Sequence, residues 1–103
     1  MSATGTLRNI EHLRAKLKAL MPTLSQRYHV ASLALFGSYV RGDENGGSDL
    51  DVLVTFSKTP GLLKFVELEN TLSDELGVKV DLVMPDALKP GIGKRVAAEA
   101  VPV

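Results

Sequence analysis

Two aspartates, Asp49 and Asp51, stand two positions apart at the head of an apolar run, "LDVLVTF". In an extended chain, residues i and i+2 point to the same face, so these two carboxylates project side by side. A third acid, Asp81, lies between Val80 and Leu82 in another apolar run, "VKVDLVM". A carboxylate amid apolar strand residues is costly unless it is paired or holds a cation. If the two runs are neighbouring strands, the three acids meet in one small region, and their mutual repulsion calls for a cation. An all-oxygen donor set, with no cysteine in the chain and no suitably placed histidine, selects a hard ion such as Mg²⁺ or Mn²⁺. Two such ions about 3.5–4 Å apart support an in-line phosphoryl or nucleotidyl displacement.

A second group of residues suits the other half of that chemistry. Gly37 and Ser38 directly follow the apolar run "VASLALF", and Ser38 is positioned to open a short helical turn. Backbone N–H groups there, with no Cβ at Gly37 to block approach, can cradle a phosphate. The Ser38 hydroxyl can add a hydrogen bond. Arg41 follows three residues later, which on a helical turn brings it to the same side as Ser38. Its guanidinium then either grips a phosphate oxygen or pairs with Asp43 or Glu44 on the surface. Phosphate donors and metal-binding acids thus come from one continuous segment, "GSYVRGDENGGSDLD".

The elements that must hold these residues can be read from periodicity. After Thr6, a plausible N-cap, Leu7, Ile10, Leu13, Leu17 and Leu20 form one helical stripe. Pro22 is expected to end that helix or bend the chain, with a further helical turn over Thr23–Tyr28. "HVASLALFG" reads as a buried strand and "ENGG" as a loop. "LDVLVTF", apolar on both faces, reads as a central strand. Pro60 opens a second long helix with Leu62, Phe65, Val66, Leu68, Leu72 and Leu76 inward, and Gly77 is placed to terminate it. "VKVDLVM" is a third strand, stopped by Pro85. A last helix spans about Gly91–Ala100, with Ile92 and Val96 inward. The closing "AEAVPV" either buries in a partner or ends the fold. The expected class is α/β: a small mixed sheet of three or four strands flanked by helices, in one domain over residues 1–103.

Composition narrows the partners. Twelve basic residues balance twelve acidic ones, which leaves no electrostatic footprint for duplex nucleic acid or an anionic membrane. Apolar residues make up 45% of the chain, enough for a core. No run is long and apolar enough for a membrane span or a signal core, so the expected setting is the cytoplasm. A homo-oligomer is left open. His12 reads as a solvated helix residue and His29 as a packing or surface residue. Tyr39 either stacks on a base or lies on the surface.

The string "GS", ten residues, then "DLD" resembles the signature of the DNA polymerase beta-like nucleotidyltransferase superfamily. With "VDLV" some thirty residues later, the chain resembles its smallest members, the minimal nucleotidyltransferase (MNT) domains, over about Leu33 to Val83. The resemblance implies that Asp49 and Asp51 bind two metal ions and that Asp81 completes the site and helps deprotonate the attacking hydroxyl. It implies that Gly37 and Ser38 hold the β- and γ-phosphates of a nucleoside triphosphate, with Arg41 supporting the triphosphate or the loop. Gly42 and Ser48 also match; Ser48 is carried as a nucleotide-site residue that shapes the turn. Stand-alone MNT proteins are usually paired with a HEPN-type toxin, and the family transfers AMP from ATP to a tyrosine of that partner. The leading expectation is therefore a metal-dependent protein adenylyltransferase acting as an antitoxin. The alternatives are a catalytically silent antitoxin that neutralises a HEPN RNase by binding alone, and a nucleotidyltransferase acting on a small molecule such as an aminoglycoside.

Overall fold

The fold comes from a computed structural model that describes residues 6–41 and 49–103. The chain runs α1 (Thr6–Tyr28), β1 (Val30–Phe36), α2 (Ser38–Arg41), β2 (Leu50–Phe56), α3 (Leu62–Leu76), β3 (Val80–Val83), a 3-10 turn (Pro85–Ala87), α4 (Pro90–Glu99) and β4 (Val101–Pro102). The strands form one sheet in the order β3-β2-β1-β4. β1 is antiparallel to both β2 and β4, while β2 and β3 are parallel. The sheet is mixed and β2 is internal, as its apolar run on both faces leads one to expect.

The strands sort their residues by parity. Leu50, Val52 and Val54 of β2 are buried, whereas Asp51, Leu53 and Thr55 are half-buried. Val80 and Leu82 of β3 are buried and Asp81 is exposed. The buried set packs against Leu17 and Leu24 of α1 and against Leu68, Leu72 and Leu76 of α3. The core therefore lies between one face of the sheet and these two helices. Fully burying a leucine such as Leu17 or Leu72 stabilises the fold by about 1.5–3 kcal/mol. The three acids fall on the opposite parity, away from that core.

Helix α1 does not stop at Pro22. It continues to Tyr28 with Pro22 inside it. The stripe explains why: Leu24 and Tyr28 continue the apolar face and are both buried. The Tyr28 hydroxyl also donates to Glu67 Oε2 at 2.7 Å, which ties the end of α1 to α3. This tertiary packing outweighs the one backbone donor that proline lacks. His29 then ends the helix at φ 61, in the left-handed region; its side chain is exposed, in line with a surface residue.

Helix α3 ends as expected, with Gly77 left-handed at φ 72 and its N–H donating to Ser73 O. Its beginning departs from expectation. Leu62 is 77% exposed and Val66 42% exposed, although both were assigned to the inner stripe. The buried positions of α3 are Leu68, Leu72 and Leu76, with Phe65 packed against the same cluster; Leu62 stands at the very start of the helix, and Val66 lies about 200° around it from Leu68, off the buried stripe. In α4, Val96 is buried as expected but Ile92 is half exposed. Of the terminal residues, Val101 and Pro102 form a short strand beside Ala34 and Leu35 of β1, a pairing not anticipated from the sequence.

The outer edge of β3 is capped by α3. Ser73 Oγ accepts the Val80 N–H at 2.9 Å, and Glu69 Oε2 accepts the Leu82 N–H at 2.9 Å. These bonds satisfy two donors on an edge strand that would otherwise lack protein partners. They hold the strand at the positions that flank Asp81.

Candidate active site

The sheet register assembles the acids. In the parallel pair β2/β3, Asp51 stands directly beside Asp81. The pairing begins where Leu50 N–H donates to Lys79 O at 2.8 Å, so the head of β2 is anchored one residue from each of Asp49 and Asp51. Asp49 immediately precedes β2 and is half-buried. By the two-residue alternation it shares the face of Asp51. Among the described residues, no three His, Asp or Glu side chains are gathered tightly enough to enclose an ion. The register brings Asp51 and Asp81 side by side, and Asp49 stands one position ahead of β2.

Gly37 sits against this acid pair. Phe36 is the β1 partner of Asp51 across the antiparallel ladder, so Gly37 leaves the strand beside the Asp51 carboxylate. A Cβ on Gly37 would collide with Asp51 Oδ2 and lie 3.0 Å from Asp51 Cγ. The backbone there is also left-handed, at φ 83. Both facts demand glycine. The Val40 N–H donates to Gly37 O at 3.1 Å, which turns the chain into α2. Ser38 and Arg41 are the first and last residues of α2; their side chains lie outside the described residues, as do Gly42 and Ser48.

The cavity beside Gly37 has a volume of about 570 Å³ and is lined by Phe36, Gly37, Asp51 and four residues of α4: Ile92, Arg95, Val96 and Glu99. Helix α4 is thus a wall of the site, which the sequence does not announce. Glu99 makes the closest link, its Oε2 accepting the Gly37 N–H at 3.0 Å. The amide expected to face a phosphate is held by a carboxylate. Nothing near Glu99 in the sequence marks it, because its importance comes from a contact across 62 positions.

With two carboxylates in register, a third on the same face and a glycine backbone pressed against one of them, the site has the donors for a hard divalent ion and the room for a phosphate chain. A family model of the nucleotidyltransferase domain matches residues 17–102. The chain belongs to the nucleotidyltransferase domain family. The protein adenylyltransferase MntA of Thermococcus cleftensis is 47% identical over 92 residues, covering 89% of this chain and 93% of that one. A solved structure assigned to a minimal nucleotidyltransferase has a TM-score of 0.76 at 35% identity, with 100% of both chains covered. A toxin–antitoxin structure with AMP-PNP has a TM-score of 0.70 at 25% identity, covering 86% of this chain and 70% of that one.

For a nucleotidyltransferase, the mixed sheet has a clear purpose. The antiparallel β1/β2 pair brings Gly37 to Asp51, and the parallel β2/β3 pair brings Asp81 to Asp51. One residue, Asp51, is common to both relationships. His12 is exposed on α1, and Tyr39 is half-buried against the core, where it packs rather than standing free on the surface. Among the described residues no helix is long and apolar enough to cross a membrane.

Proposed function

We propose that this chain transfers AMP from ATP to a hydroxyl, most simply a tyrosine, of a HEPN-type toxin, and thereby acts as its antitoxin. The observation that carries the reading is the alignment of Asp51 with Asp81 on neighbouring strands, with Gly37 packed on the Asp51 carboxylate. Its similarity over 89% of its length to a protein named as a protein adenylyltransferase supports the choice of acceptor class. The likeness to an antitoxin–toxin structure with an ATP analogue supports the nucleotide and the kind of partner.

Asp49, Asp51 and Asp81 would hold two Mg²⁺ or Mn²⁺ ions, whose charge polarises the phosphates and stabilises the leaving group. The residues of the chain do the rest. Gly37 and Ser38 orient the β- and γ-phosphates, with Arg41 and Ser48 in support. In this reading Asp81, the most exposed of the three acids, takes the proton from the acceptor hydroxyl. The hydroxyl oxygen then bonds to the α-phosphorus while the bond from that phosphorus to the bridging oxygen breaks. AMP stays on the partner and pyrophosphate leaves. The carboxylates lie on the sheet face away from the core, where a protein acceptor can reach them.

The test is incubation of the chain and its partner toxin with Mg²⁺ and ATP labelled at the α-phosphate. Label on the toxin is expected, and its removal by an Asp49→Asn, Asp51→Asn double variant. Absence of label, under conditions where a known pair is labelled, sinks the reading. Full neutralisation of the toxin by the double variant would instead assign the effect to binding alone.

A further inference from the structure

Glu99 is the feature that the reaction leaves unexplained. It is the last residue of α4, and its carboxylate accepts the Gly37 N–H at 3.0 Å in a partly buried contact. That amide belongs to the loop assigned above to the nucleotide's phosphates, and the inference rests on that assignment. A carboxylate and a phosphate oxygen compete for the same donor, because both are anionic acceptors of charge-assisted hydrogen bonds. Glu99 also adds negative charge to a cavity that already contains Asp51.

We propose that Glu99 is an internal competitor for the nucleotide phosphate at the Gly37 amide, so that nucleotide entry moves the Glu99 side chain off the loop. The affinity for nucleotide is then the intrinsic affinity of the open loop, reduced by the fraction of molecules in which Glu99 holds it. Arg95 lines the same cavity and precedes Glu99 by four positions on α4. That spacing gives the displaced carboxylate a cation one turn away. The Ala100 that follows leads directly into β4, which pairs with β1 two residues before Gly37. Release of Glu99 therefore reaches the end of the sheet that carries the loop. The extra carboxylate also disfavours metal-free nucleotide, whose charge is unneutralised, relative to the metal complex.

The experiment is calorimetric binding of Mg·ATP to the full chain and to Glu99→Ala and Glu99→Gln variants, with the Gly37 amide followed by ¹⁵N-resolved NMR. Glu99→Ala should bind roughly tenfold more tightly, on the scale of a lost hydrogen bond to a charged acceptor. Glu99→Gln, which keeps an acceptor but no charge, should fall between the two. The Gly37 amide resonance should shift upfield in the free Glu99→Ala variant, and Mg·ATP should move it further in that variant than in wild type, where one anionic acceptor replaces another. A purely structural Glu99 would instead lower the melting temperature without tightening binding. If wild type and Glu99→Ala bind equally, or the variant binds more weakly, this inference alone is overturned. If neither binds Mg·ATP, the functional reading falls and this inference falls with it.

Discussion

Gly37 lies so close to the Asp51 carboxylate that a Cβ at position 37 would force that carboxylate to shift. Replacing it by alanine imposes two costs. The left-handed backbone strains any residue with a Cβ, by about 1–3 kcal/mol. The added methyl also has to push Asp51 aside. We expect Gly37→Ala to lower stability by about that amount in denaturant titration. If Asp51 holds a metal ion as proposed, misplacing its carboxylate by an ångström should reduce AMP transfer on the order of 10²-fold.

The pairing of Asp51 with Asp81 places like charges directly opposite each other, an arrangement that destabilises a sheet by a few tenths of a kcal/mol, up to about 1. Asp81→Asn should therefore leave the fold as stable as wild type or slightly more so, while AMP transfer falls by roughly 10²-fold or more. The comparison of melting curves with initial rates separates the two effects. An Asp81→Asn protein that is both active and unchanged in Mg²⁺ dependence removes Asp81 from the site.

Metal binding should be visible without catalysis. An ion that binds only the folded state stabilises it by about 1.4 kcal/mol at ten times its Kd. Adding Mg²⁺ should thus raise the melting temperature of wild type and have little effect on Asp49→Asn, Asp51→Asn. Equal rises in both proteins would locate the stabilising ion elsewhere.

The caps on β3 give a test of positioning. Removing the Glu69 acceptor leaves the Leu82 N–H without its protein partner, which costs about 1–3 kcal/mol where the group is shielded from water. Glu69→Ala should lose that much stability and speed hydrogen exchange at Leu82. Glu69→Gln, which retains an acceptor, should keep most of both. Activity should follow the same order, since Asp81 rides on this strand.

Pro22 is the local sequence feature most at odds with its surroundings. Proline is about 3 kcal/mol worse than alanine inside a helix. Pro22→Ala should stabilise the protein by about 1–3 kcal/mol in thermal or chemical unfolding. A fall in stability would mean that a bend at Pro22 is needed to lay Leu24 and Tyr28 on the sheet.

The parts of this fold that can be read from sequence are those governed by local periodicity and local backbone chemistry. The parity of Leu50–Phe56, the left-handed Gly77 and the phase of Leu68, Leu72 and Leu76 all follow from residues within a turn or two of one another. The neighbourhood of Asp81 is legible only as a condition, because it depends on which strands pair. Features set by distant contacts were hidden. Packing of Leu24 and Tyr28 carries α1 through Pro22. The extent of the core leaves Leu62 outside at the start of α3, while Val66 falls off the phase of Leu68, Leu72 and Leu76. The short β4 pairing needs β1 as its template, and Glu99 becomes notable only when α4 folds back over Gly37.

The capped edge of β3 also limits how an acceptor can arrive. Strand addition requires a row of unpaired amides and carbonyls, and α3 already occupies the amides that flank Asp81. A substrate protein cannot reach the carboxylates by extending the sheet at those positions. Its hydroxyl has to be lowered onto the open face, on a projecting side chain. Recognition of the modified segment would then depend on shape and reach above the site more than on the backbone pattern of the peptide that carries it.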